Sequence, residues 1–98
     1  MQPIDTYYFL GIGGIGMSAL ARYFAAKGAR VLGYDRTPSP LTKELEAEGI
    51  CVQYDDGLEV VKALDLSTTV VVRTPAVPEE FAVYVWLREH GFRILKRA

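Results

Sequence analysis

The sequence predicts a doubly wound α/β domain built on a five-stranded parallel sheet. Strand-like and helix-like segments alternate along the whole chain, and a glycine-rich loop separates the first strand from the first helix. The length of 98 residues suits a single domain, since domains commonly have ~100–200 residues. Half of the residues are hydrophobic and 23% are charged, which is the balance of a globular chain and not of a disordered one.

The first third of the chain contains two predicted strands joined by a helix. Residues 7–10 are a short aromatic and apolar run, typical of a buried strand, that ends at Gly11. Residues 15–27 are good helix formers with apolar side chains on one face, and Gly28 follows where helices commonly end. The second strand is predicted over residues 30–34.

The middle of the chain continues the alternation. Ser39 followed by Pro40 is typical of a helix start, and Gly49 is expected to end that helix. Residues 50–54 predict a short third strand, and residues 57–64 predict a short helix.

The last third predicts two more strands around a helix. Residues 68–73 include three consecutive valines, a run typical of a central strand buried on both faces. Pro78 is expected to open a helix over residues 79–90, which Gly91 ends before a fifth strand over residues 92–95. Because helices connect parallel strands through right-handed crossovers, we predict the strand order 3-2-1-4-5 of a Rossmann-like sheet.

Charge and hydropathy argue against two classes of partner. Eleven Lys and Arg residues against twelve Asp and Glu give a net charge of −1, without the basic excess of nucleic-acid-binding domains. Residues 6–21 carry no charge, but Asp5 precedes them and four glycines interrupt them, unlike a signal peptide or membrane span. We therefore expect a soluble cytoplasmic domain that binds neither nucleic acid nor membrane.

The glycine-rich loop predicts a phosphate site. Gly11, Gly13 and Gly16 have the G-x-G-x-x-G spacing. In this pattern the first glycine permits a tight turn, the second lets a phosphate approach, and the third lets helix and strand pack closely. The helix that follows presents unpaired N–H groups and a partial positive charge to an anion. The alternative is a turn that serves packing alone.

Asp35 is the second candidate binding residue. It ends the second strand, nineteen residues after Gly16, where a carboxylate reaches a ribose or base edge in dinucleotide-binding folds. The alternative is a cap for the turn over residues 35–38. Loop and acid together suggest NAD, but a dinucleotide is usually held across two mononucleotide-binding halves. Since five strands leave the second half incomplete, one nucleoside diphosphate fits better.

Other reactive groups lack the partners that catalysis or metal binding needs. His90 falls near a helix end, Ser18 lies inside a helix without a base, and Cys51 is expected to be a small buried hydrophobe. We therefore expect no catalytic residue and no metal site in this chain. The run over residues 81–87 is apolar on every side, so it is either a wide core face or in part a surface for a partner.

Four segments together match one family pattern. They are residues 8–21 with the glycine loop, residues 33–35, residues 70–78 around the fourth strand, and residues 90–97. Over nearly the whole chain they resemble the N-terminal domain of the Mur ligases. The resemblance is strongest to the members that join L-alanine to UDP-N-acetylmuramate.

The resemblance implies a domain that binds the UDP part of UDP-N-acetylmuramate. In the family the glycine loop faces the diphosphate, and the acidic residue after the second strand contacts the uridine. The end of the fourth strand borders the same crevice. The corresponding positions here are Gly11, Gly13, Gly14, Ile15, Gly16, Asp35, Arg36, Arg73 and Thr74.

The resemblance also implies that residues 1–98 are one domain of a larger ligase, whose ATP-binding and C-terminal domains lie outside this sequence. The whole enzyme uses ATP and Mg²⁺ to form an acyl phosphate on the substrate carboxylate. The amine of L-alanine attacks it and gives an amide, ADP and phosphate. Two alternatives stay open: a ligase that attaches a recycled tripeptide to the same sugar nucleotide, and a Rossmann-type module that binds NAD or senses a nucleotide.

We expect this chain by itself neither to hydrolyse ATP nor to form an amide, because its 98 residues contain no G-x-x-x-x-G-K-[ST] loop. The measurement is phosphate release by the purified chain with UDP-N-acetylmuramate, L-alanine, ATP and Mg²⁺. A heat-inactivated sample is the control, and turnover above that control would show that the chain carries catalytic groups of its own.

Overall fold

Strands and helices alternate in the computed structural model, which describes residues 3–97. The strands are β1 (Thr6–Leu10), β2 (Arg30–Tyr34), β3 (Cys51–Gln53), β4 (Thr69–Arg73) and β5 (Arg93–Lys96). The helices are α1 (Ile15–Ala26), α2 (Pro40–Ala47), α3 (Glu59–Lys62) and α4 (Ala82–Glu89). All neighbouring strands pair in parallel in the order β3-β2-β1-β4-β5. The predicted fold class and strand order are confirmed.

Local sequence signals determine where the helices begin and end. The Oγ of Ser39 accepts a hydrogen bond from the N–H of Thr42, and the Thr42 hydroxyl accepts one from the N–H of Ser39. This reciprocal cap starts α2 at the predicted proline. Helices α1, α2 and α4 each end shortly before a glycine with positive φ, namely Gly28, Gly49 and Gly91.

The start of α4 differs from the prediction. Pro78 does not open the helix, because the N–H of Phe81 donates to the Pro78 carbonyl in a turn and α4 begins at Ala82. The physical reason lies in β4. The buried Arg73 donates from Nη2 to the carbonyl oxygen of Val77 and thereby holds this segment as a loop.

Each face of the sheet carries its own apolar cluster. The three valines of β4 alternate between the faces, which confirms β4 as a central strand buried on both sides. The cluster toward α1 and α2 contains Phe9, Ile12, Met17, Ala21, Val31, Leu45, Ile50, Val70 and Val72. The opposite cluster contains Tyr8, Leu10, Leu32, Tyr34, Val61, Leu64, Val71, Val77, Val83, Tyr84, Leu87 and Phe92. Three of these residues belong to α4, so at least this part of its apolar run faces the core.

The three reactive side chains singled out from the sequence differ in their exposure and in their contacts. Cys51 is exposed, and the expectation that it is buried was wrong, because it opens β3 at the edge of the sheet. His90 is exposed beside the end of α4, where its ring stacks on Trp86. Ser18 is buried in α1, and its hydroxyl donates to a backbone carbonyl of the same helix. Within residues 3–97 no helix is long and apolar enough to cross a membrane.

Gly33 lies in β2 at a point where a side chain would collide with β1. A Cβ at this position would fall against the carbonyl oxygen of Phe9, and the Cδ1 of Ile12 would be 3.0 Å away. We expect Gly33→Ala to lower the free energy of unfolding by about 2 kcal/mol or more, because overpacking must displace a central strand. Urea unfolding measures this loss.

Gly57→Ala is the matched control, because its Cβ would first meet the flexible carboxylate tip of Glu59. We expect this variant to change the free energy of unfolding by less than about 1 kcal/mol. Equal losses in the two variants would contradict the close contact between β1 and β2.

Candidate functional site

A crevice of about 490 Å³ opens at the carboxyl edge of the sheet. It lies where the chain order reverses, since β1 continues to β2 on one side while β4 flanks it on the other. Ligands of doubly wound sheets bind at such a switch point. The residues that line the crevice are Gly11, Tyr34, Asp35, Arg36, Ala76, Val77, Pro78 and Phe81.

The glycine loop, residues 11–16, is fixed to the end of β2. The N–H groups of Gly11 and Ile12 both donate to the carbonyl oxygen of Tyr34, at 2.8 and 2.9 Å. The N–H of Gly13 donates to Oδ2 of Asp35 at 2.7 Å. Gly11 has a φ of +95°, which glycine adopts without strain, so the predicted tight turn is confirmed.

The open N–H groups lie at the start of α1. The N–H of Gly14 donates to the carbonyl of Gly11, so it is taken within the loop, as is that of Gly13. For Ile15, Gly16 and Met17, by contrast, no residue between 3 and 97 supplies an acceptor to the backbone N–H. Unpaired N–H groups and the helix dipole make this end a place for an anion.

Arg97 lies beside the same helix end. Its Nη2 is 2.8 Å from the position that a Cβ would occupy at Gly16. Its backbone N–H donates to the carbonyl of Arg73 at 2.8 Å, which continues the pairing of β5 with β4. The third glycine of the pattern therefore makes room for a guanidinium, whereas the sequence suggested contact between helix and strand.

The sequence reasoning did not select Arg97 as a site residue. Its position directly after β5 was the available signal, because the carboxyl ends of parallel strands meet at one edge of the sheet. No carboxylate among the described side chains lies within 4 Å of the Arg97 guanidinium. Its positive charge is therefore available to a ligand.

Asp35 performs the capping role and also ties the glycine loop. Its Oδ1 accepts a hydrogen bond from the N–H of Thr37 at 3.2 Å, as in the turn proposed from sequence. Its Oδ2 holds Gly13, and the residue also lines the crevice. A carboxylate has about four acceptor positions, so both oxygens can accept further hydrogen bonds. Arg36 follows it, exposed, on the same crevice wall.

Arg73 lies behind the crevice and does not line it. The residue is 7% exposed, and its Nη2 donates to the carbonyl of Val77 at 3.1 Å. Its Nη1 is 3.9 Å from the Glu79 carboxylate, and the guanidinium lies 4.5 Å from the centre of the Tyr84 ring. These contacts brace residues 74–81, here called the wall loop. Thr74, at the start of this loop, lies against the first glycine of the glycine loop.

Comparison with known proteins finds one family. Residues 6–98 match the family described as "Mur ligase family, catalytic domain". UDP-N-acetylmuramate–L-alanine ligases of Parabacteroides distasonis and Porphyromonas gingivalis are both 52% identical to the chain. The matches cover 100% and 93% of this chain but 22% and 20% of the relatives. The chain thus spans about a fifth of their length.

Two solved structures show the same fold. The UDP-N-acetylmuramate–alanine ligase of Thermotoga maritima has a TM-score of 0.82 and 30% identity over 94% of this chain and 20% of its own. The UDP-N-acetylmuramate:L-alanyl-γ-D-glutamyl-meso-diaminopimelate ligase of Neisseria meningitides has a TM-score of 0.81 and 23% identity. That match covers 95% of this chain and 28% of the other. At this identity the second similarity concerns the fold alone.

Asp35→Ala removes the acceptor of the Gly13 N–H. We expect the Gly13 amide hydrogen to exchange with solvent at least about tenfold faster, since a hydrogen bond to a charged group contributes about 1.5–3 kcal/mol. Hydrogen exchange followed by NMR measures this change. Asp56→Ala, which removes an exposed carboxylate that follows β3, is the control and should leave Gly13 protected. Unchanged Gly13 exchange in Asp35→Ala would contradict the tie.

Proposed function

Because the chain belongs to the Mur ligase family, we propose that it binds the uridine diphosphate part of UDP-N-acetylmuramate. The matched relatives are named as ligases of this sugar nucleotide with L-alanine. Since the chain spans about a fifth of their length, we assign the amide-forming activity to a larger protein of which this chain is a part. Residues 1–98 are then its N-terminal, UDP-binding domain. Such a ligase draws on ATP and a nucleotide sugar, and the cytoplasm is the location we propose.

The open start of α1 is the observation that carries this proposal. The N–H groups of Ile15, Gly16 and Met17 have no acceptor within the described chain, and Gly16 lies beside the Arg97 guanidinium. Together they offer hydrogen-bond donors and positive charge to a diphosphate, whose oxygens accept hydrogen bonds and carry the opposite charge. Gly13 and Gly14 act differently in this proposal, because their own N–H groups hold the loop in shape.

The crevice beside the glycine loop is the proposed uridine site. Its volume of about 490 Å³ falls within the ~300–1,000 Å³ usual for small-molecule sites. Asp35 can accept hydrogen bonds from ribose hydroxyls, and Arg36 can donate to carbonyl oxygens of the base. Thr74 lies against Gly11, the glycine of the loop that lines this crevice. Arg73 serves as a positioning residue, since it braces the wall loop from behind.

ATP and Mg²⁺ do not fit the residues of this chain. No three His, Cys, Asp or Glu side chains within residues 3–97 form a group that could hold a metal ion. The sequence also lacks a P-loop. We therefore assign both groups, and the transfer of phosphate to the substrate carboxylate, to the part of the ligase outside this sequence. This domain would hold the UDP end and so fix where the carboxylate lies.

A ligase that attaches a tripeptide is the second candidate. The Neisseria structure carries such a name and has a TM-score of 0.81, but its 23% identity supports a common fold alone. The 52% identity to L-alanine ligases favours the first candidate. An NAD-binding module fits less well, because the crevice and five strands provide one nucleoside site.

We expect UDP to shift the amide resonances of residues 11–18 and those near Asp35 and Arg73, because its diphosphate would meet the open start of α1. NAD at equal concentration should shift them less, since the sheet offers little surface to a second nucleoside. We expect affinity in the millimolar range, because the rest of the ligase would hold the sugar. The measurement is a ¹⁵N–¹H NMR titration.

The amides of Gly28 and Gly49, which follow the carboxyl ends of α1 and α2, are internal controls and should not move. Saturable shifts with NAD that exceed those with UDP would instead favour a dinucleotide-binding module.

A further inference from the structure

We propose that Phe81 is the surface on which the pyrimidine base of the nucleotide stacks. This inference rests on the proposed function and deepens it, because it names the residue that recognises the base. Phe81 lines the crevice and is only partly buried. Bases stack on aromatic side chains because both present a flat π-face to the other.

The aromatic ring of Phe81 lies beside the residues proposed for the ribose. Its centre is 4.4 Å from that of Tyr34, with 33° between the ring planes. Tyr34 is 8% exposed and directly precedes Asp35, which also lines the crevice. A base against Phe81 and a ribose against Asp35 would therefore occupy one continuous cavity, as the two covalently joined halves of a nucleoside must.

Hydrogen bonds hold the backbone of Phe81 through both its N–H and its carbonyl group. Its N–H donates to the carbonyl of Pro78 at 3.1 Å, and its own carbonyl accepts from the N–H of Val85 at 2.9 Å in the first turn of α4. Arg73 anchors the same loop through Val77. Because the backbone is held in this way and the ring packs against Tyr34, the ring loses little conformational freedom when a ligand stacks on it.

The composition of the crevice agrees with a base in this place. Apart from Asp35 and Arg36, the lining consists of glycine, alanine, proline, valine and the aromatic pair Tyr34 and Phe81. The charged groups that suit a diphosphate lie instead at the start of α1 and at Arg97. The apolar and the charged parts of the site thus match the base and the phosphates of one nucleoside diphosphate.

Phe81→Leu tests the proposal, because leucine keeps an apolar side chain and removes the flat ring. We expect it to weaken UDP binding about tenfold or more, and to change the affinity for inorganic pyrophosphate by less than about twofold. Phe81→Tyr retains the ring and should bind UDP within about threefold of the original chain. Phe24→Leu makes the same change in a partly buried ring of the opposite cluster and should leave UDP affinity unchanged.

Calorimetric or NMR titration supplies these affinities. Unchanged UDP affinity in Phe81→Leu, or an equal loss for UDP and pyrophosphate, would overturn the role of Phe81. Failure of the original chain to bind UDP at all would instead overturn the proposed function. A further measurement needs only the original chain, so it tests the proposal even if a variant does not fold. A stacked uracil should show upfield shifts of its H5 and H6 protons that exceed those of the ribose protons, and equal shifts would overturn the proposal.

Discussion

The hydrogen bonds between the glycine loop and the end of β2 are the interaction on which the site depends. Two N–H groups of the loop share the carbonyl of Tyr34, and a third reaches the carboxylate of Asp35. These bonds use the N–H groups of Gly11, Ile12 and Gly13, and the chain then turns into α1. The N–H of Gly14 donates within the loop, to the carbonyl of Gly11, and those of Ile15, Gly16 and Met17 have no acceptor within residues 3–97. The loop is thus built from one set of amides and leaves the following set for a ligand.

A second constraint acts from the other side of the crevice. Parallel pairing places the end of β4 next to the end of β1, with Arg73 opposite Leu10. A buried guanidinium needs hydrogen-bond acceptors, since an unpaired buried charge is costly. Arg73 donates from Nη2 to the Val77 carbonyl and has the Glu79 carboxylate 3.9 Å from Nη1, while its Nε has no partner within the described residues. The need to satisfy one buried charge therefore shapes the wall loop, and the loop in turn positions the ring of Phe81.

Signals that are local in sequence predicted the fold well. Glycines after helices, the Ser39–Pro40 start and the valine run of β4 all took their predicted roles, because each depends on residues within one or two turns. Contacts made by individual side chains were harder to predict. Pro78 has a helix-start signature, yet the side chain of Arg73, which bonds to Val77 four residues later, holds this segment in a loop. The contact of the Arg97 guanidinium with Gly16 joins residues that are far apart in the sequence, so no local pattern revealed it.

The carboxyl edge of the sheet carries charges of both signs in a chain whose net charge is −1. Two of the carboxylates at this edge, Asp35 and Glu79, already interact with backbone N–H groups and with Arg73, respectively. Arg36 and Arg97, by contrast, have no carboxylate within 4 Å among residues 3–97. The net charge of −1 describes the whole surface, whereas a bound anion responds mainly to charges within about a Debye length of ~8–10 Å. Arg36 and Arg97 are therefore the cations at this edge with which a bound anion can pair. A diphosphate would supply the countercharge that the protein itself does not provide.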